Sequence, residues 1–231
     1  MITKLEWDST FFGYPVGKIY LKKGYELNES LFENALKAFK LVYVFTKVPL
    51  HRKSIKFVHV DDKVTFKKSI VQPDLEKFKM TCSPFNKNED SYNDLVNLAY
   101  ESGKFSRFRI DQGFIENEFE RLYKKWIDGS INNKSSAVLI YSLKSRIAGF
   151  ITLSDKGSET VNIGLIAVSP ENQGKGIGSK LLRNAEIYSK VRGFSLMTVS
   201  TQQINLNAMR LYFKNGYEEV EIQHIYHYWN S

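Results

Sequence analysis

The spacing that bears most directly on chemistry lies between residues 161 and 189. Gly174, Gly176 and Gly178 recur at alternate positions in a short loop. Before the loop stands an almost unbroken apolar run, Val161–Val168, as expected of a strand buried on both faces. After it Ile177, Leu181, Ala185 and Tyr188 fall on one helical face, and Gly193 follows as a stop signal. The first turn of a helix leaves its N–H groups without intrahelical partners and presents partial positive charge. Glycines let such a loop turn its amides toward an anion, and a pyrophosphate is the natural guest. The same spacing also fits a tight glycine turn with no ligand. The G-x-G-x-G series meets neither the dinucleotide fingerprint nor the P-loop pattern.

Other reactive residue types give less. His51, His59, His224 and His227 show no metal-ligand spacing, and His224 and His227 fall on opposite faces of a closing strand, so no metal is expected. Cys82 stands alone, which excludes an internal disulfide and suits a reducing compartment. Its neighbours Met80, Thr81 and Ser83 offer no support for a nucleophile.

The elements that must position this loop come from a chain of 231 residues with 42% apolar and 14% aromatic content, enough for a sizeable core. Lys and Arg number 33 against 25 Asp and Glu, a formal net charge of +8. That field would draw phosphorylated molecules, but the basic residues are scattered in pairs such as Lys67-Lys68, which does not indicate a nucleic-acid patch. No apolar run is long enough to span a membrane, and residues 1–6 lack the apolar core of a signal peptide, so a cytoplasmic protein is expected.

Residues 1–85 read as a small α/β domain and residues 86–231 as a second α/β domain, with Pro73, Pro84 and a polar stretch at 86–90 marking the boundary. The first holds strands at Val16–Leu21 and Leu41–Thr46. Between them a helix is expected from Asn28 or Ser30 to about Lys40, with Leu31, Ala35, Leu36 and Phe39 inward. A strand pair, Ser54–Val60 and Lys63–Ser69, is expected around Asp61-Asp62. The second has helices from Ser91 and over Ile115–Asp128, the latter with Ile115, Phe119, Leu122 and Trp126 on one stripe. Strands Ala137–Ser142 and Ile147–Leu153 follow, then the central strand and glycine loop, a strand at Phe194–Thr201, a helix over Leu206–Asn215, and one or two strands within Tyr217–Trp229.

Gln173-Gly174-Lys175-Gly176-Ile177-Gly178 resembles the Q/R-x-x-G-x-G/A motif of the GCN5-related N-acetyltransferases (GNAT). The stretch from Asn207 through Tyr212 to Gly216-Tyr217 is similar to that family's N-x-x-A-x-x-x-Y-x-x-x-G-F/Y pattern, shifted slightly. The resemblance implies the GNAT fold, a mixed sheet flanked by helices whose central strands splay after Val161–Val168 and Phe194–Ser200. It implies acetyl-CoA as co-substrate and direct acetyl transfer to an amine. On this resemblance Gln173, Gly174, Lys175, Gly176, Ile177, Gly178 and Ser179 hold the pyrophosphate. Ile166, Ala167 and Val168 offer main-chain groups to the pantetheine arm and thioester carbonyl, and Asn207 bonds the pantetheine. Tyr212 is the general acid toward the departing thiolate, while Tyr217 is core. No side chain is assigned as general base. The central strand offers Asn162 and Gly164, Glu159 sits at its edge, and a water relay is the remaining expectation.

A narrower resemblance rests on Leu5-Glu6-Trp7-Asp8-Ser9-Thr10-Phe11-Phe12-Gly13, Ser106-Arg107-Phe108-Arg109 and the Asn207–Tyr212 helix. Together these are similar to the bacterial dTDP-fucosamine acetyltransferases. That implies the 4-amino group of a dTDP-4-amino-4,6-dideoxy sugar as acceptor, in surface-glycan biosynthesis, with Arg107 and Arg109 as candidates for the diphosphate. The two arginines could equally brace a loop through carbonyl contacts. Competing expectations are a GNAT enzyme for a protein N-terminus, a polyamine or an aminoglycoside, and a non-catalytic acyl-CoA-binding module. A homodimer is a candidate assembly.

Overall fold

The computed structural model describes residues 2–22, 34–50, 56–70, 80–115 and 117–230. One ten-stranded sheet runs through it in the order β1-β2-β3-β10-β4-β9-β8-β7-β6-β5. The strands are β1 Thr3–Lys4, β2 Val16–Leu21, β3 Leu41–Thr46, β4 Val58–Ser69, β5 Ser83–Pro84, β6 Ser136–Leu143, β7 Arg146–Asp155, β8 Thr160–Val168, β9 Leu196–Gln202 and β10 Glu218–Trp229. The helices are α1 Glu6–Phe12, α2 Tyr92–Ser102, α3 Arg107–Ile110, α4 Glu118–Asn132, α5 Ile177–Val191 and α6 Leu206–Lys214. α5 covers one face through Ile177, Leu181, Leu182 and Ala185 packed on Ile151, Val161 and Met197. On another face Leu95 and Leu98 of α2 and Ile127 of α4 pack on Ile140, Ile147 and Phe150. This is the α/β layering expected, with a mixed sheet flanked by helices.

The expected boundary near residue 85 is crossed by the sheet itself. β4, from before it, lies between β9 and β10, from after it, and pairs antiparallel with both. Its buried face, Val64 and Phe66, joins the core that holds α5.

Several expectations need correcting. Val58–Ser69 is one continuous strand, with no turn at Asp61-Asp62. That polar pair reads locally as a turn, but β10 pairs with it through Ile225 and His224, and Gln203 N–H donates to the Asp62 carbonyl from the other side. β10 is likewise one strand, Glu218–Trp229. The start of the helix expected at Asn28 or Ser30, with Leu31, lies outside the described residues, as do 54–55 of the expected strand pair. Leu36 is buried as expected, whereas Ala35 is exposed. Ile115 is 72% exposed, because Asn117, with φ 61°, turns the chain before α4 begins. The stretch at Arg107–Ile110 is a helical turn capped by Ser106, whose hydroxyl accepts from Phe108 N–H. Cys82 is buried, and burial pushes its thiol up to about 11, which removes it as a nucleophile. Among the described residues no helix is long and apolar enough to cross a membrane.

His227 of β10 is fully buried, against Tyr43 and Phe114 and hydrogen-bonded to Asp111 at 2.5 Å. Asp111 also accepts from the Trp229 indole and from Gly113 N–H, both at 2.9 Å. Burial lowers the His227 imidazole to about 4 from its ordinary 6.5. A base held neutral in the fold but free to protonate when unfolded stabilises above pH 6.5 and loses that contribution as pH falls toward 4. Between pH 7 and pH 5, urea denaturation should show wild type losing about 2 kcal/mol more than His227→Gln.

Candidate active site

β8 and β9 are the only parallel pair in this part of the sheet, and their pairing stops early. It runs from Thr160↔Leu196 to Ile163↔Val199 and then ends. Beyond that point β8 stays with β7, up to Val168↔Gly149, and β9 stays with β4, up to Gln202↔Lys63. A register shift in β8 helps part them, with Leu165 N–H donating to the Thr152 hydroxyl at 2.8 Å. The strands splay as expected, and a cavity opens on each side of the gap.

The first is a groove of about 500 Å³ over the glycine loop, reached by the start of α5 and α6. Gly174 and Gly176 adopt φ of 74° and 78°, a region that side-chain-bearing residues rarely enter. Gly176 is the N-cap of α5, and no side chain caps it. Lys180 N–H is the first of the helix to find a carbonyl, that of Gly176. Among the described residues every backbone N–H from Gly174 to Ser179 lacks an acceptor. These amides, at the positive end of a long helix, fit a diphosphate. Gly174, Gly176, Ile177, Gly178 and Ser179 all line the groove, as do Ile166, Ala167 and Val168. Gln173 lines it too but is partly committed, its amide donating to the Val168 carbonyl at 3.0 Å and to Glu101 at 3.3 Å. Lys175 does not line it; its ammonium is bound to the Asn172 side chain at 2.9 Å. The groove's unpaired cations among the described residues are Arg210 and Lys214 of α6.

Asn207 lines this groove, exposed at the start of α6. The asparagine that sequence reading passed over is Asn205. It caps α6 by accepting from Ala208 N–H at 3.2 Å, and it lines both cavities. The signal was present: Asn205, Ala208 and Tyr212 meet the N-x-x-A-x-x-x-Y spacing with no shift.

The second cavity, a cleft of about 900 Å³, lies on the other side of the gap. Tyr212 belongs to the wall shared by both cavities, with Ile166, Asn205 and Ala208. It is 2% exposed, packed on Phe66 and Tyr217, and its hydroxyl has no hydrogen-bond partner among the described residues. Burial pushes the phenol well above its ordinary range, so it carries its proton at any working pH. Tyr217 is core as expected, its hydroxyl donating to the Met197 sulfur at 2.9 Å.

The two arginines are separated. Arg107 lines the cleft with its guanidinium 5.1 Å above the Tyr43 ring and 4.3 Å from that of Phe108. It forms no ion pair among the described residues, and its buried Nε lacks a partner. Arg109 points elsewhere on the helical turn, paired with Glu120 at 2.5 Å and lining neither the groove nor the cleft. Near Arg107 stand Lys63, whose ammonium is weakened by burial and by Arg107, and the half-exposed Trp7, stacked on Phe11. Glu159 is exposed at the far end of β8 and does not line the cleft. Pairing of β4 with β10 gathers His59, Asp62 and His224, both imidazoles hydrogen-bonded to one Asp62 oxygen.

A profile described as the acetyltransferase (GNAT) family matches residues 99–217. The chain is 24% identical over 135 residues to the spore coat polysaccharide biosynthesis protein SpsD of Bacillus subtilis (strain 168), covering 58% of this chain and 46% of that protein. It is 26% identical over 124 residues to the dTDP-fucosamine acetyltransferase of Escherichia coli O6:H1, covering 53% and 52%. It thus spans about half the length of these curated relatives. In fold it is similar to an acetyltransferase from the GNAT family from Colwellia psychrerythraea, with a TM-score of 0.57 at 15% identity over 94% of this chain and 80% of the other.

Proposed function

Since the chain belongs to the acetyltransferase (GNAT) family, we propose that it transfers the acetyl group of acetyl-CoA to the 4-amino group of a dTDP-4-amino-4,6-dideoxy sugar. One observation carries the reading: Tyr212 stands in the wall between an amide-lined groove and a second cleft, so a donor in one and an acceptor in the other would meet at its hydroxyl. In the groove the amides from Gly174 to Ser179 hold the coenzyme's diphosphate, with Arg210 and Lys214 adding charge. Acetyl-CoA supplies the acetyl group as a thioester. Residues 166–168 orient that thioester at the mouth of the gap, and the protonated Tyr212 stands ready for the departing sulfur.

The acceptor follows from the second cleft. Arg107 and Lys63 make it cationic, Arg107 lacks an ion-pair partner among the described residues, and Trp7 offers an exposed aromatic face. An acceptor with phosphates and a flat base suits such a lining better than a polyamine or an aminoglycoside, whose charges are positive. The two relatives of carbohydrate pathways agree with this choice.

Calorimetry should show acetyl-CoA uptake, and dTDP-4-amino-4,6-dideoxygalactose should then release free thiol. dTDP alone should compete, and Arg107→Ala should raise KM for the sugar nucleotide at least ~10-fold, the loss of a charge-assisted contact. Turnover of a polyamine, an aminoglycoside or a peptide that is indifferent to dTDP would move the acceptor assignment. Uptake of acetyl-CoA with no thiol release in the presence of any amine would leave the acyl-CoA-binding module.

A further inference from the structure

The acceptor amine carries a proton at neutral pH and must lose it before it can attack a thioester. The strand next to the thioester offers no carboxylate for this, only Asn162 and Gly164. The cleft supplies one from elsewhere. Asp61, in the middle of β4, lines it and is the one carboxylate among the described residues that does. Its residue is 7% exposed, yet its carboxylate accepts no hydrogen bond from any described residue. No donor among the described residues is committed to that carboxylate, so it stands free in the cleft to accept from a ligand. Asp62, one position on, is held by two histidines, and Asp8 by the Tyr43 hydroxyl.

We propose that Asp61 is the general base of the transfer, receiving the acceptor's ammonium group and taking a proton from it. The assignment rests on the acetyl-transfer reading above. An N–H bond of the ammonium breaks and an O–H bond forms on Asp61. The freed lone pair attacks the thioester carbonyl, the C–N bond forms and the C–S bond breaks. The sulfur takes the phenolic proton of Tyr212. The nitrogen's second proton returns to the phenolate, and Asp61 releases its own to water, so the net products are the amide, the free thiol and one proton.

The surroundings of Asp61 suit the task. Burial raises its carboxyl to about 6, while Arg107 opposes that rise. Asp62 raises it further, Lys63 and His59 lower it, Tyr123 of α4 feels its charge, and Lys125, Lys156 and Tyr212 line the same cleft. A base near 6 is ionised at neutral pH and still strong enough to accept a proton in the transition state.

The test uses the full chain with acetyl-CoA and dTDP-4-amino-4,6-dideoxygalactose. Asp61→Asn should lower kcat by ~10²-fold at pH 7 and abolish the acidic limb of the kcat profile near pH 6. KM for acetyl-CoA should stay unchanged, since Asp61 does not line the groove. Asp61→Glu, which keeps the carboxylate, should recover part of the rate. Circular dichroism of both variants should match wild type. In protein carrying ¹³C-labelled aspartate, the carboxyl resonance missing from Asp61→Asn should titrate near 6 and move lower when the sugar nucleotide saturates the site. A wild-type rate with an intact acidic limb in Asp61→Asn, or an Asp61 resonance unmoved by the sugar nucleotide, overturns the assignment and leaves acetyl transfer standing. If wild type releases no thiol with any amine, the parent reading fails and the assignment falls with it.

Discussion

Tyr212→Phe should lower kcat by ~10²-fold or more while acetyl-CoA binds with unchanged affinity. The substitution removes one oxygen from a ring that is otherwise fixed by Phe66 and Tyr217. Because that hydroxyl has no partner among the described residues, its loss costs no native hydrogen bond, and the unfolding midpoint should hold or rise slightly. What is lost is a proton for the sulfur that leaves. Stopped-flow thiol detection and calorimetry on the same preparation separate the two effects. If the rate stays within ~3-fold of wild type, the thiolate leaves unaided and Tyr212 merely packs. A fall in affinity with no change in kcat would place the hydroxyl in binding instead.

The second large effect concerns the fold. Residues 86–231 expressed alone should fail to fold, although the family match, 99–217, lies wholly within them. Without β4, the Leu196–Gln202 edge loses all its partners on that side, and β10 loses its partners from Glu218 to His227. Val64 and Phe66 would leave a hole beside Tyr212. Deleting a buried aromatic costs about 3–5 kcal/mol, of the same order as the stability of a whole domain. The fragment should therefore appear as aggregate by light scattering, whereas the full chain should unfold in urea in one transition. A soluble fragment that binds acetyl-CoA as the full chain does would restore the two-domain reading.

The glycine-loop groove was legible because its signals are local. A glycine with positive φ, an uncapped helix start and an apolar strand are all properties of neighbouring residues, so Gly174 and Gly176 could be found from spacing, whereas Tyr212 was implied only by the resemblance. The second cleft was not, because strand pairing over long separations assembles it. Asp61-Asp62 looked like a turn, and nothing nearby in sequence reveals that β10 pairs alongside it while β9 joins the same strand from Lys63 onward. Arg107 and Arg109 looked equivalent, yet two positions on a helical turn differ by about 200°, which sends one to the cleft and the other to Glu120. Asn205 was missed through a slip of register, although its spacing was plain. Lys175 met the motif, but no pattern foretells that its side chain binds Asn172.

The place of β4 also sets a timetable. It leaves the ribosome more than a hundred residues before either strand that will flank it, so for most of synthesis its Val64 and Phe66 face are without a home. The sheet cannot close until β10 has emerged, so an apolar strand must wait unpaired through most of synthesis, a recipe for slow folding.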